Sequence, residues 1–441
     1  MAPMGDVAGA ASRRLPRRVA IAVAVALAAF VLAMELGAWH YGFMGPTGHL
    51  LWDVGGGPKR GRVIWAALAL ALISLTKQQR IKALGAALAI DVVFVLARLP
   101  FDTRLTYGNG PFIVLLALGV IAFKRWDGKQ REATLKAVGL GLLLIMGTKM
   151  SDAWLAITVH ARPVVLDQYV QTADHALWNL SWWMGRVFDS SGIVVQRIIE
   201  TVYIELPVGA TLVAIWQLRK GWPSHHIVRS FLIIAFIGPI FYVIFPVVGP
   251  IYAYGHLGGD WAIMGAPWPS HVPWDLTPQA FRFDDITPRN CMPSLHTAWA
   301  VAIFVHTRRQ PWAVRAFGTF WTVCTIIATL ALGRHYGVDL VAGVVFALTV
   351  ESAVRDPERG WDRTRWSLLL GGFALHAAML FSYRFLSVQM ANYRVLSAVL
   401  LLGSMTAMIV AFYWAFFLRP MPGTGDEEDD TDTQVQSLAT A

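Results

Sequence analysis

Apolar runs recur along almost the whole of this 441-residue chain, and no other feature of the sequence limits the fold as strongly. They fall at about 18–38, 62–76, 83–99, 111–124, 134–150, 193–216, 229–247, 295–307, 315–333, 338–354, 366–383 and 395–418. A bilayer core takes about 20 apolar residues per helix, and one water-soluble core cannot absorb this much apolar sequence. With 56% hydrophobic and only 15% charged residues, the composition is that of a polytopic membrane protein. The expected fold is all-α: a polytopic integral membrane protein with about twelve transmembrane helices.

Charge orients these runs. Arg13, Arg14, Arg17 and Arg18 precede the first one, which is longer than a signal-peptide core and is followed by no small-residue cleavage site, so an uncleaved first span is expected. With the N-terminus inside, the cytoplasmic segments include "KQQRIK", "KRWDGKQR", "RKGWPSHHIVR", "RRQPWAVR", "RDPERGWDRTR" and Arg419, which together with the N-terminal arginines hold most of the 37 Lys and Arg. This pattern predicts a multi-pass protein of the cell membrane, N-in and C-in. It also accounts for the net charge of +9 through cytoplasmic loops and anionic lipid heads, so the bilayer rather than nucleic acid is the expected partner. The two cysteines, Cys291 and Cys324, form no C-x-x-C or Cys/His spacing, and neither a metal nor a cofactor is expected.

Two stretches carry chemistry, "CMPSLHTAWA" from Cys291 and "GRHYGVDLVAG" from Gly333. In the N-in topology both lie at the extracytoplasmic face, where His296 begins the eighth span and His335 the tenth. A lone histidine at a span end is commonly an interfacial or bundle-facing residue. Two at helix starts on one face, one followed at i+4 by Asp339 and the other preceded by Pro293-Ser294, favour catalysis. Asp339 is expected to take the proton of one imidazole nitrogen of His335, leaving the other free to attack an electrophile, while His296 serves as acid and then base. Ser294 is a good N-cap, and its hydroxyl together with free helix N–H groups and a guanidinium can hold an anion. Arg334 adjoins His335, and Arg162, Arg282 and Arg289 lie in the other outer loops, so each is a candidate for that guanidinium.

At these residues the sequence resembles the type 2 phosphatidic acid phosphatase superfamily, which includes the vanadium haloperoxidases. Pro293, Ser294, Leu295 and His296 match its Pro-Ser-x-His motif, and His335 and Asp339 match its His-x-x-x-Asp motif. The resemblance covers about 150–355. It implies a six-helix core, a phosphohistidine on His335 supported by Asp339, leaving-group protonation by His296, and no metal. Leu295 stands where the motif usually has Gly, Ala328-Thr329 where it has Ser-Arg, and Leu155 where the first motif has Lys. The phosphate clamp is therefore open among Lys149, Arg162 and Arg334, with Ser294.

"MPSLHTAWA", "HYGVDLVAG" and "RPVVLDQYVQTADHALW" are similar to the inositol phosphorylceramide synthase-like branch. That likeness implies an inositolphosphotransferase-like enzyme of lipid metabolism. Its donor would be a phospholipid or polyprenyl phosphate, and its acceptor a polyol, sugar or lipid alcohol. Water as acceptor would make the same site a lipid phosphate phosphatase, a hydrolase. The loop 248–294, with Asp260 and Asp275, reads either as a lid over an acceptor or as an interfacial aromatic belt.

The expected organisation is N-terminal spans in 1–150, the catalytic core in 151–355, two spans in 356–420 and an acidic disordered tail in 421–441. A membrane transporter is the reading from another class, supported by the spans and by Asp91, Glu200 and Glu205 within them. Interhelical pairing is the plainer reading of those acids.

Overall fold

The computed structural model describes residues 17–101, 105–219, 221–254, 271–280 and 288–419. Arg13, Arg14, Asp260, Arg282 and the acidic segment 421–441 lie outside the described residues. Among the described residues the protein is all-α, with eighteen α-helices and one antiparallel ladder two residues long, Val164–Val165 against Gln279–Ala280.

The N-terminal part holds α1 (Arg17–His40), α2 (Pro46–Gly55), α3 (Gly61–Leu72), α4 (Lys77–Arg98), α5 (Asn109–Arg125) and α6 (Gly128–Ala161). The middle holds α7 (Asp167–Asp174), α8 (Leu180–Ser190), α9 (Ile193–Ile204), α10 (Leu206–Leu218), α11 (Ile227–Ile244) and α12 (Pro250–Ala253), then α13 (Leu295–Thr307), α14 (Trp312–Ala331) and α15 (Gly337–Val354). Three helices close the chain: α16 (Arg363–Phe385), α17 (Ser387–Asn392) and α18 (Arg394–Tyr413).

A helix stands over each of the twelve apolar runs, but helix and crossing are different things. Six helices are long and apolar enough to cross a membrane: α6, α11, α14, α15, α16 and the stretch Arg394–Leu418. The pair α9 and α10 makes a seventh if its two halves, bent by 65°, count as one span. That bend falls at Glu205-Leu206-Pro207, where proline suits the first turn of a new helix and has no N–H to continue the old one. Helices α3 and α13 are apolar but shorter, and α4 is interrupted by Lys77, Arg80, Lys82 and Asp91.

The boundary expected at residue 150 falls inside α6, which runs unbroken to Ala161. Beyond α6 the chain up to residue 192 is again largely helical, through α7 and α8.

The acids within the apolar runs have partners. Asp91 accepts the N–H groups of Gly108 (3.0 Å) and Gly110 (2.7 Å) and the indole N–H of Trp65 (3.0 Å), which fixes α4 to the start of α5. Glu205 pairs with Arg62 from the N-terminal part, and Glu200 with Arg197 of its own helix at 3.1 Å.

The N-terminal helices are not a separate body. Leu70 of α3 is buried in one cluster with Leu206 and Ala210 of α10, Phe231 of α11, and Leu295 and Ala298 of α13. Leu140, Leu144 and Leu155 of α6 pack against that cluster. The C-terminal helices close another flank, where Met379, Tyr383 and Leu401 join Tyr336, Val338 and Val341.

Candidate active site

Helix α13 starts where the sequence says it should. The Ser294 hydroxyl accepts the Thr297 N–H at 3.2 Å as N-cap, which places His296 in the first turn. Ser294 itself is wholly buried and donates its N–H to the Asp339 carbonyl at 3.2 Å, so it ties the starts of α13 and α15 together. The cap uses the hydroxyl oxygen as acceptor, which leaves its O–H able to donate to an anion.

His335 is not on the helix that carries Asp339. It stands two residues before α15, in a turn where the N–H groups of Arg334 and His335 both reach the Thr329 carbonyl. Asp339 is the third residue of α15 and accepts the Tyr336 N–H at 2.8 Å. The proximity read from i, i+4 spacing is nonetheless present, because a helix-capping carboxylate folds back over the turn that precedes it.

The proton partner differs from expectation. His335 Nδ1 lies 3.0 Å from the Cys291 carbonyl oxygen and 3.5 Å from Asp339 Oδ2. Asp339 Oδ2 is held mainly by the Cys291 thiol, which donates to it at 2.6 Å. Burial, then the neighbouring Asp339 carboxylate, push the Cys291 thiol well above its ordinary range, so it keeps the proton it donates. Burial also lowers His335 to about 3, opposed by its bond to the Cys291 carbonyl. The imidazole is therefore neutral at neutral pH, with its Nδ1 proton on a carbonyl and Nε2 as the lone-pair nitrogen.

The two histidines converge. Their ring centroids are 6.0 Å apart. Tyr203 of α9 stacks on His296 at 4.2 Å, and its hydroxyl lies 3.3 Å from His296 Nδ1. A cavity of about 230 Å³ opens beside His296 and Tyr203. Its lining takes in Arg60 and residues Thr148, Ser151 and Asp152 of α6, but not His335.

The expected phosphate clamp is only partly assembled. Arg334 adjoins His335 and donates to the Tyr252 hydroxyl. Arg162 instead donates to the Val243 carbonyl at 2.6 Å, and its own carbonyl accepts from the wholly buried Arg289 at 3.1 Å, so it braces a loop. Lys149 is buried in an ion pair with Asp53 of α2 at 2.5 Å and does not line the cavity.

Two aspartates shape the site from α7. Asp167 accepts the N–H groups of Val248 (3.0 Å) and Gly249 (2.9 Å) and the Tyr336 hydroxyl (2.9 Å). Burial raises its carboxyl to about 6 against those bonds. Asp174 accepts the Val338 N–H at 3.0 Å, at the start of α15. Both stand in the stretch "RPVVLDQYVQTADHALW", whose spaced aspartates were the signal available. Tyr203, the Cys291 carbonyl as hydrogen-bond acceptor for His335 and Arg60 carried no such signal.

Among the described residues, donor atoms lie within 4.8 Å of one another in two groups, Cys291, His335 and Asp339, and His225, His306 and Glu351. Each set comes from separate elements, which is why spacing along the chain did not reveal it. In both, the polar atoms already bond one another. Glu351 takes His225 at 3.2 Å and His306 at 3.1 Å, with Arg355 3.6 Å away, at the ends of α13 and α15 opposite His296 and His335.

Comparison with known protein families decides the broader class, for residues 168–352 match the family model described as PAP2 superfamily. This segment is a PAP2 superfamily domain. The PAP2 domain contains His296, His335, Asp339 and both α7 aspartates, and it implies a phosphatase or phosphotransferase acting on phosphate esters. Residues 18–157 match a second family model, a domain of unknown function designated DUF5933, so the division between the two falls near the end of α6. No curated protein and no solved structure matches the chain.

Proposed function

We propose that this protein is a membrane phosphotransferase that moves a phosphoryl or phospho-head group from a lipid donor to an alcohol through a phosphohistidine on His335. The observation that carries the reading is the pair of imidazoles 6.0 Å apart at two helix starts within a PAP2 domain. In the first half-reaction His335 Nε2 attacks phosphorus, the P–O bond to the leaving group breaks, and His296 gives its proton to the departing oxygen. In the second, His296 takes a proton from the incoming hydroxyl as its oxygen displaces the imidazole. The two imidazoles supply nucleophile and acid-base group, so the cycle needs no metal ion.

Asp339 and the Cys291 carbonyl act through His335 by fixing its tautomer. The clamp for the non-reacting oxygens is drawn from Arg334 and the free N–H groups at the start of α13. The same cycle with water is a phosphatase. Apolar lining around His296 favours an alcohol, since a transferase must keep water from the intermediate. The donor class is a phospholipid or polyprenyl phosphate, the acceptor a polyol, sugar or lipid alcohol, and phosphoinositol is one head group of this kind. The basic segments between the apolar runs support an N-in, C-in chain in the cell membrane, with both histidines at the extracytoplasmic face.

The test uses purified protein in native-lipid nanodiscs, with phosphorus-31 NMR of products and acid- and base-quenched trapping of phosphoprotein. Wild type is expected to form a base-stable, acid-labile adduct on His335. His335→Ala should lose turnover by roughly three orders of magnitude or more, and His296→Ala by about 10²–10⁴-fold. Substrate flux across the membrane that persists in His335→Ala without any phosphorus chemistry would turn the assignment to a transporter.

A further inference from the structure

The cavity beside His296 is built half from the PAP2 domain and half from the N-terminal segment. Tyr203, Leu206, Phe231 and His296 form one wall, and Arg60, Thr148, Ser151 and Asp152 face them from within residues 18–157. Arg60 and Asp152 form a two-pronged pair, with Nε to Oδ2 at 3.1 Å and the terminal nitrogen to Oδ1 at 2.5 Å. Their side chains are 47% and 31% exposed, so a ligand can reach both. The N-terminal segment is also locked against the PAP2 domain, through Arg62 on Glu205 and Leu70 in the shared cluster.

We infer that this N-terminal wall is a binding subsite for the hydroxyl-rich, uncharged head of an amphiphile, held by Arg60 and Asp152 beside His296. The inference rests on the phosphotransferase reading for its chemistry but not for its test. The argument is one of donor and acceptor balance. A carboxylate only accepts hydrogen bonds and a guanidinium only donates, whereas a hydroxyl does both, so vicinal hydroxyls satisfy the pair without displacing either partner. The pair is neutral as a whole, so an added phosphate meets the Asp152 charge beside the guanidinium and an added ammonium meets the Arg60 charge beside the carboxylate, and an uncharged head meets neither penalty. Ser151 and Thr148 add hydroxyls on the same helix face, and Leu144, Leu155 and Leu232 supply an apolar continuation for a chain. Any hydroxyl seated there lies on the side of the group proposed to take its proton.

The experiment labels the full-length protein in nanodiscs with an octyl glucoside carrying a photoreactive diazirine in its alkyl chain, and locates adducts by mass spectrometry. Saturable adducts are expected on the α6 segment around Leu144–Leu155 and near Phe231–Leu232, equally in wild type and in His335→Ala. Asp152→Asn and Arg60→Lys should each weaken the labelling about tenfold, the loss expected for one hydrogen bond to a charged group. Competition by free glucose assigns the subsite to a soluble polyol, and competition only by unlabelled octyl glucoside assigns it to an amphiphile. Labelling unchanged in both variants, or competed equally well by octyl phosphate, overturns the inference. Because the label is read in the His335→Ala background, loss of the phosphotransferase reading is scored separately, by turnover.

Discussion

Asp174 shows what the site costs at single residues. It is wholly buried, with one carboxylate oxygen on the Val338 N–H and the other without a partner among the described residues. Burial is the main cause that raises its carboxyl from 3.8 to about 7, opposed by the Val338 bond and reinforced by the charge of Asp339. The sign follows from linkage. Between those two values the unfolded chain has released the proton and the folded chain has kept it, so stability is full below pH 4 and is lost as pH rises toward 7, levelling off above. The slope is at most about 1.4 kcal/mol per pH unit in that window. Thermal unfolding of detergent-solubilised wild type and Asp174→Asn from pH 4.5 to 8 isolates this contribution. The variant is expected to gain on wild type with rising pH, and parallel curves would show that Asp174 does not titrate there. His335 runs the other way, since a histidine held neutral by burial loses stability as pH falls below about 6.5, which is why the difference curve is the informative one.

At the scale of helices, the site depends on α13 and α15 meeting closely at their starts. A side chain at Gly343 would bring its Cβ to 2.5 Å from the Ser294 carbonyl oxygen and 3.2 Å from Thr297 Cβ, and the first of these is backbone that cannot rotate away. Helix propensity alone favours alanine over glycine by about 1 kcal/mol, whereas overpacking costs roughly 1–3 kcal/mol, so packing decides the sign. Gly343→Ala is expected to lower the melting temperature and to reduce turnover by shifting His296 against His335. Gly139→Ala in α6, with nothing within 4 Å, is the control that should do neither. The starts of these two helices were legible in the sequence, because a cap, a histidine and an aspartate are local signals. The identity of the His335 partner was not legible, since a backbone carbonyl from Cys291 leaves no trace in residue type. Nor was the number of crossings. An apolar run announces a helix, but short segments such as α3 and α13 and the broken pair α9–α10 are helices without being full-length spans. Lys149 and Arg162 were reasonable clamp residues by charge and position, and it is their tertiary partners, Asp53 and the Val243 carbonyl, that occupy them.

For the molecule as a whole, the question is what the N-terminal segment does for the PAP2 domain. Arg60 and His296 are far apart in sequence and share a cavity only because α3 docks on α10 and α6 on α11. Lipid tails are as apolar as the leucines of α3, so removing α1–α6 from a protein in a bilayer imposes little penalty from exposed apolar surface. What is lost is tight packing around Leu70, the Arg62 partner of Glu205, and one wall of the cavity. A chain beginning at about residue 158 is therefore expected to insert and keep its helices, yet to turn over substrate at least 10²-fold more slowly, because misplacing the bound group by about 1 Å is enough for such a loss. Supplying residues 1–161 as a second chain should restore activity, with the two halves co-purifying. Circular dichroism and turnover on the truncated, the two-chain and the intact protein make the comparison. Full activity of the truncated chain would mean that the PAP2 domain carries a complete site and that the N-terminal wall serves another ligand. Failure of the truncated chain to insert would instead make the docking of α3 and α6 a condition of folding.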